Sequence, residues 1–103
     1  MRELNALGTL IGGYLNEDWY IEYGDPWVAI ERFVLWEPNY APALRADVDK
    51  FVAQFGADEE AEPMMDKFGL GYDAIRAGWP SYGAWLLAVA ERVDQLLHTS
   101  PAA

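Results

Sequence analysis

The chain has no cysteine, a single histidine and only seven lysines and arginines among its 103 residues. Without cysteine there is no disulfide framework, no zinc–thiolate site and no thiol nucleophile, which fits a reducing compartment such as the cytoplasm. The lone His98 stands near the C-terminal end with Ser100 as its closest downstream hydroxyl, so neither a Ser-His-Asp triad nor a histidine-based metal site is supported. Seventeen acids against seven bases give a net charge of −10, which excludes a nucleic-acid-binding or anionic-membrane-binding surface. Long hydrophobic runs are also missing. The longest uncharged stretches, Asn5 to Asn16 and Ala77 to Ala90, are interrupted by glycine and polar residues and fall short of the roughly 18 residues of a membrane span. The first residues carry an acid and no continuous apolar segment, unlike a secretory signal. No Gly-Lys-Ser/Thr phosphate loop and no Asp-x-Asp-x-Asp-Gly calcium loop occurs, so no cofactor or metal is expected.

What is abundant is apolar and aromatic. Hydrophobic residues make up 52% of the chain, and aromatics 15%: five Trp, six Tyr and four Phe. This is enough for one domain spanning residues 1–103 with its own core. Charge is spread evenly, and neither a repeat nor a linker appears.

The apolar spacing is helical almost throughout. Leu4, Leu7, Ile11 and Leu15 predict a first helix over about 3–13, ended by Gly12-Gly13. Residues 14–25 are irregular. Asp25-Pro26 reads as a helix start, because Asp accepts free backbone N–H groups and Pro at the first position loses nothing. Trp27, Ile30, Phe33 and Val34 form the apolar face that follows. A third helix begins near Pro42, with Leu44, Val48, Phe51, Val52 and Phe55 as its stripe and Gly56 beyond its end. Pro63 places the start of a fourth helix close to residue 62, and Gly69 its stop. Tyr72 to Arg76 can form a short turn. Ser81 caps the last helix, whose face is Trp85, Leu86, Val89, Val93, Leu96 and Leu97, with His98 at its C-terminal end. The fold class is all-α: a single compact bundle of four to five short helices.

Two acidic groups stand out. Glu17, Asp18, Glu22, Asp25 and Glu31 are interleaved with Trp19, Tyr20, Tyr23 and Trp27. Rigid rings beside carboxylates suit an interface with a basic protein, although the same rings can instead fill the core while the acids face water. The second group, Asp58, Glu59, Glu60 and Glu62, can dock a basic partner or can simply place negative charge at a helix N-terminus. A pair of catalytic carboxylates needs a cleft that a small helical bundle rarely builds. The residues alone therefore point to a non-catalytic protein that binds something basic. The candidate contacts are Glu17, Glu22, Asp25, Asp58, Glu59, Glu60 and Glu62, with Tyr23 and Trp27 as anchors.

Four segments carry a family resemblance. Leu10-Ile-Gly-Gly-Tyr-Leu-Asn-Glu-Asp-Trp19 resembles the opening motif of the contact-dependent growth inhibition immunity proteins (CdiI). Tyr23-Gly-Asp-Pro-Trp-Val-Ala-Ile-Glu-Arg-Phe33 looks like the tyrosine, turn and helix start that follow it. Ala57-Asp-Glu-Glu-Ala-Glu62 is similar to the acidic stretch after the third helix, and Ser81-Tyr-Gly-Ala-Trp-Leu86 to the Ser-Tyr-x-x-Trp-Leu signature before the final one. Leu15, Asn16 and Glu17 depart from the Phe, His and Gln common there, so no imidazole role carries over. The resemblance implies that Asp18, Trp19, Ser81 and Trp85 serve the fold, as caps and core rings. It also implies a function: one-to-one binding of the C-terminal domain of a cognate toxin, so that toxic activity is blocked. The acidity adds an expectation of its own, that this domain is a basic nuclease. The alternative is a general acidic adaptor or nucleic-acid mimic that covers many basic proteins.

Overall fold

The computed structural model describes residues 4–55 and 58–99; the side chains of Asp58 and Thr99 fall outside this description, as does the Gly56 end of the predicted third helix. Six α-helices occur among the described residues and no strand: α1 (Asn5–Tyr14), α2 (Trp19–Glu22), α3 (Pro26–Trp36), α4 (Leu44–Gln54), α5 (Asp58–Phe68) and α6 (Tyr82–Thr99). The all-α expectation holds, with six helices rather than four to five. The additional one is α2, a single turn too short to show periodicity.

The helical stripes read from the sequence are the buried faces. Leu4, Leu7, Leu10, Ile11 and Leu15 of the α1 region are at most 2% exposed, as are Ile30 and Phe33 of α3, Leu44, Val48 and Phe51 of α4, and Trp85, Leu86, Val89 and Val93 of α6. α3, α4 and α5 each pack against both α1 and α6, so these two helices line a core shared by all. The largest wholly buried side chain is Trp85, whose ring lies 5.0 Å from Tyr72.

Local chemistry sets the helix ends. The Asp25 carboxylate accepts the Trp27 N–H at 2.7 Å and Pro26 occupies the first position of α3. The Ser81 hydroxyl accepts the Ala84 N–H at 2.9 Å and caps α6. Asp18 precedes α2 but its side chain makes no cap; Asn16 Oδ1 accepts the Asp18 N–H instead. α5 closes with paired bonds, Gly69 N–H to the Asp66 carbonyl and Leu70 N–H to the Met65 carbonyl, both 3.0 Å. This Schellman geometry requires the left-handed backbone of Gly69, whose φ is +89°. At the end of α6, His98 Nδ1 donates to the Asp94 carbonyl at 2.7 Å.

Three boundaries differ from expectation. α1 runs through Gly12-Gly13 to Tyr14, because the burial of Tyr14 and Leu15 outweighs the cost of about 1 kcal/mol per glycine. A 3₁₀ turn over Ala41–Ala43 precedes α4. α5 begins at Asp58, not near residue 62, and holds Pro63 in its interior. Pro63 removes one hydrogen bond from a helix whose Ala61 and Met65, one turn apart, are each 1% exposed and fix it to the core.

Candidate protein-binding face

The sharp bend between α1 and α2 and the segment that follows α5 are locked together. Gly71 N–H donates to the Leu15 carbonyl at 2.7 Å, and the Trp19 indole N–H donates to the Gly71 carbonyl at 2.8 Å. The approach is so close that a Cβ on Gly71 would overlap the Asn16 carbonyl and lie 2.6 Å from Glu17 Cα. Residues 69–73 thus form a strap held against the bend.

Two open hollows adjoin the strap. One, of about 270 Å³, is lined by Glu62, Asp66, Tyr72, Asp73 and Tyr82 with strap residues Leu70 and Gly71. The other, of about 400 Å³, is lined by Gly12, Asn16, Glu17, Asp18 and Phe68 with Gly69. The two acidic groups, more than forty residues apart in sequence, therefore flank one structural feature. Of the predicted contacts, Glu17 and Glu62 line these hollows; Asp18, expected to serve the fold, lines one beside Glu17, and Asp66 and Asp73 are not among the candidates. The signal was present for Asp66, which stands four residues after Glu62 and shares its helix face.

The other candidates divide. Glu59 lies three residues before Glu62 and extends the same face of α5, whereas Glu60 points about 100° round the helix. Glu22 is exposed on α2, and Asp25, also exposed, is engaged in capping α3. None of the three ion pairs among the described residues uses these acids. Arg45 binds Asp94 at 3.0 Å and approaches Asp49 at 4.0 Å, and Arg92 reaches Glu31 at 3.4 Å. The bases in these pairs sit on α4 and α6, leaving the acids round the strap uncompensated by them.

The predicted anchors are half-buried. Tyr23 stacks on Tyr14 with centroids 6.3 Å apart, and Trp27 meets Trp79 edge-on at 6.5 Å. More open apolar side chains lie elsewhere: Ile21 at 70%, Leu35 at 65%, Tyr20 at 60% and Trp36 at 54% exposed. Tyr14 itself is buried, and its hydroxyl donates to a Glu37 carboxylate oxygen at 2.7 Å. Burial and that carboxylate hold the Tyr14 phenol well above its ordinary range. Burial, and then the neighbouring Glu22 charge, push Tyr23 in the same direction.

The whole-chain pattern decides the family. A family model described as CdiI immunity protein matches residues 3–93, spanning α1 to most of α6. The chain belongs to the CdiI immunity protein family. No curated protein and no solved structure matches the chain. Membership gives the broad role, neutralisation of a contact-dependent growth inhibition toxin. The motifs that carried the resemblance are largely structural: Ser81 caps, Trp85 is in the core, and Trp19 ties the strap to the bend. No helix among the described residues is long and apolar enough to cross a membrane.

Proposed function

We propose that this CdiI-family protein forms a one-to-one complex in the cytoplasm with the toxic C-terminal domain of its cognate partner. The toxic domain is a basic nuclease, and the acids round the strap meet the phosphate-binding surface of that enzyme. The observation that carries this reading is that Glu17 and Asp18 line one hollow, and Glu62, Asp66 and Asp73 another, both adjoining residues 69–73. In a chain of net charge −10, none of these five acids is engaged in an ion pair among the described residues. Glu22 and Glu59 widen it. Such a surface steers a basic partner into contact and raises the association rate by about 10- to 1,000-fold at low salt. Fast capture suits an inhibitor of an enzyme that damages nucleic acid with every turnover.

The test is co-expression with the C-terminal domain of the protein encoded immediately upstream. That domain alone should arrest growth and cut nucleic acid. With this chain it should co-purify at one to one and be inactive. The combined variant Glu17→Gln, Asp18→Asn, Glu62→Gln, Asp66→Asn should associate at least about tenfold more slowly in low salt. Unchanged association would remove the strap from the interface. A domain that is harmless or unbound would overturn the partner assignment, and equal binding to unrelated nucleases would favour a general acidic adaptor.

A further inference from the structure

One exposed face has no structural duty that explains it. Arg32, Leu35 and Trp36 recur at i, i+3 and i+4 along one flank of α3: Leu35 lies opposite the buried Phe33, and Trp36, three residues after Phe33, stands at the edge of the buried face. Leu35 is 65% and Trp36 54% exposed. Trp36 is nevertheless held in place. Its ring lies 6.3 Å from that of Tyr14, and the Arg32 guanidinium sits 5.6 Å over it. Tyr14 in turn stacks on Tyr23, the residue after Glu22. A continuous row of rings therefore runs from the exposed tryptophan to the acidic α2 corner, and Tyr14 immediately precedes the bend against which the strap is held.

We infer that the Trp36–Leu35 face is the apolar anchor of the toxin interface, occupied by the same basic toxin domain whose charge the neighbouring acids complement. This rests on the function proposed above and deepens it. Three considerations choose the occupant. A second copy of this chain would bring another net charge of −10 to the same surface, and like charges facing each other oppose association. The acids of the α2 corner select a cationic protein. And Trp, Tyr and Arg are the residue types that dominate binding energy when desolvated, especially where the ring is already ordered and loses little freedom on binding. The acids govern how fast the complex forms, and Trp36 and Leu35 govern how long it lasts.

Dissociation of the purified complex with the upstream-encoded toxin domain tests this. Trp36→Ala should raise the dissociation rate at least about thirtyfold, the factor that 2 kcal/mol represents, with little change in association. Leu35 is 65% exposed, so Leu35→Glu should leave the fold intact, and it should act in the same direction. Leu87→Ala, at an exposed apolar position on α6, should leave both rates unchanged. If the unaltered chain binds and both Trp36→Ala and Leu35→Glu bind equally well, the anchor assignment falls while the proposed function stands. If the unaltered chain does not bind the toxin domain, the function itself falls. Sedimentation of the isolated chain should show a monomer; a dimer dissolved by Leu35→Glu would assign the face to a second copy and overturn the proposal.

Discussion

Asp47 is the one charged residue buried among the described side chains, at 6% exposed. Its carboxylate accepts the N–H of Leu7, at 3.0 Å. α1 starts after Leu4, which offers no side-chain acceptor, so a residue forty positions away serves as the cap of its first turn. No local motif could reveal this, because the partners meet only when α1 packs on α4. Asp47→Ala leaves the buried Leu7 N–H unpaired and should cost about 1–3 kcal/mol, seen as a lower urea midpoint at unchanged slope. Asp47→Asn keeps an acceptor and should cost less. Tyr14 gives a second prediction, in pH. Its folded-state pKa lies above the ordinary 10.0, so as pH rises through that value the unfolded phenol loses its proton while the folded one retains it. The unfolded state then binds fewer protons, and stability falls with pH. Below pH 10 this contribution is fully present. Tyr23 acts with the same sign. Urea titrations from about pH 9 to 11 should show this decline, and Tyr14→Phe should make it shallower.

At the scale of elements, what was legible followed from local chemistry. Asp25-Pro26, Ser81 and Gly69 mark real helix ends because each satisfies orphan backbone groups with its own side chain or its own backbone freedom. The stripe of α4 is legible because eleven residues suffice for a period to repeat. The four residues of α2 do not suffice. Pro63 misled for a different reason: core contacts at Ala61 and Met65 override an intrinsic penalty. On α3, Leu35 and Trp36 fall off the predicted apolar face, yet only the packed structure shows that both stay more than half exposed. The strap is equally non-local, since Gly71 shows no motif in sequence and is required because Asn16 and Glu17 pass against it. Gly71→Ala must push the strap away from the bend, weakening the Leu15–Gly71 and Gly71–Trp19 bonds together. We expect a loss of about 1–3 kcal/mol, with faster amide exchange at Gly71 and a more exposed Trp19 fluorescence. A variant as stable as the parent, with both signals unchanged, would show that the close approach is not required.

At the scale of the whole molecule, the net charge of −10 acts on folding and on binding with opposite signs. Within the chain, like charges repel, and the three ion pairs among the described residues that offset them are between partly exposed groups and contribute little. Between this chain and a basic toxin the same charges attract at long range. Salt screens both over a Debye length of about 10 Å at 0.1 M. Raising sodium chloride from roughly 0.02 to 0.3 M should therefore increase the melting temperature of the isolated protein while slowing its association with the toxin domain. The dissociation rate should change far less, because it is set by desolvated contacts such as the Trp36 anchor rather than by long-range attraction. Neutralising Glu17, Asp18, Glu62 and Asp66 should flatten both salt dependences at once. A variant that flattened the association dependence alone would place the repulsion that limits stability elsewhere, among the remaining acids of α3, α4 and α6.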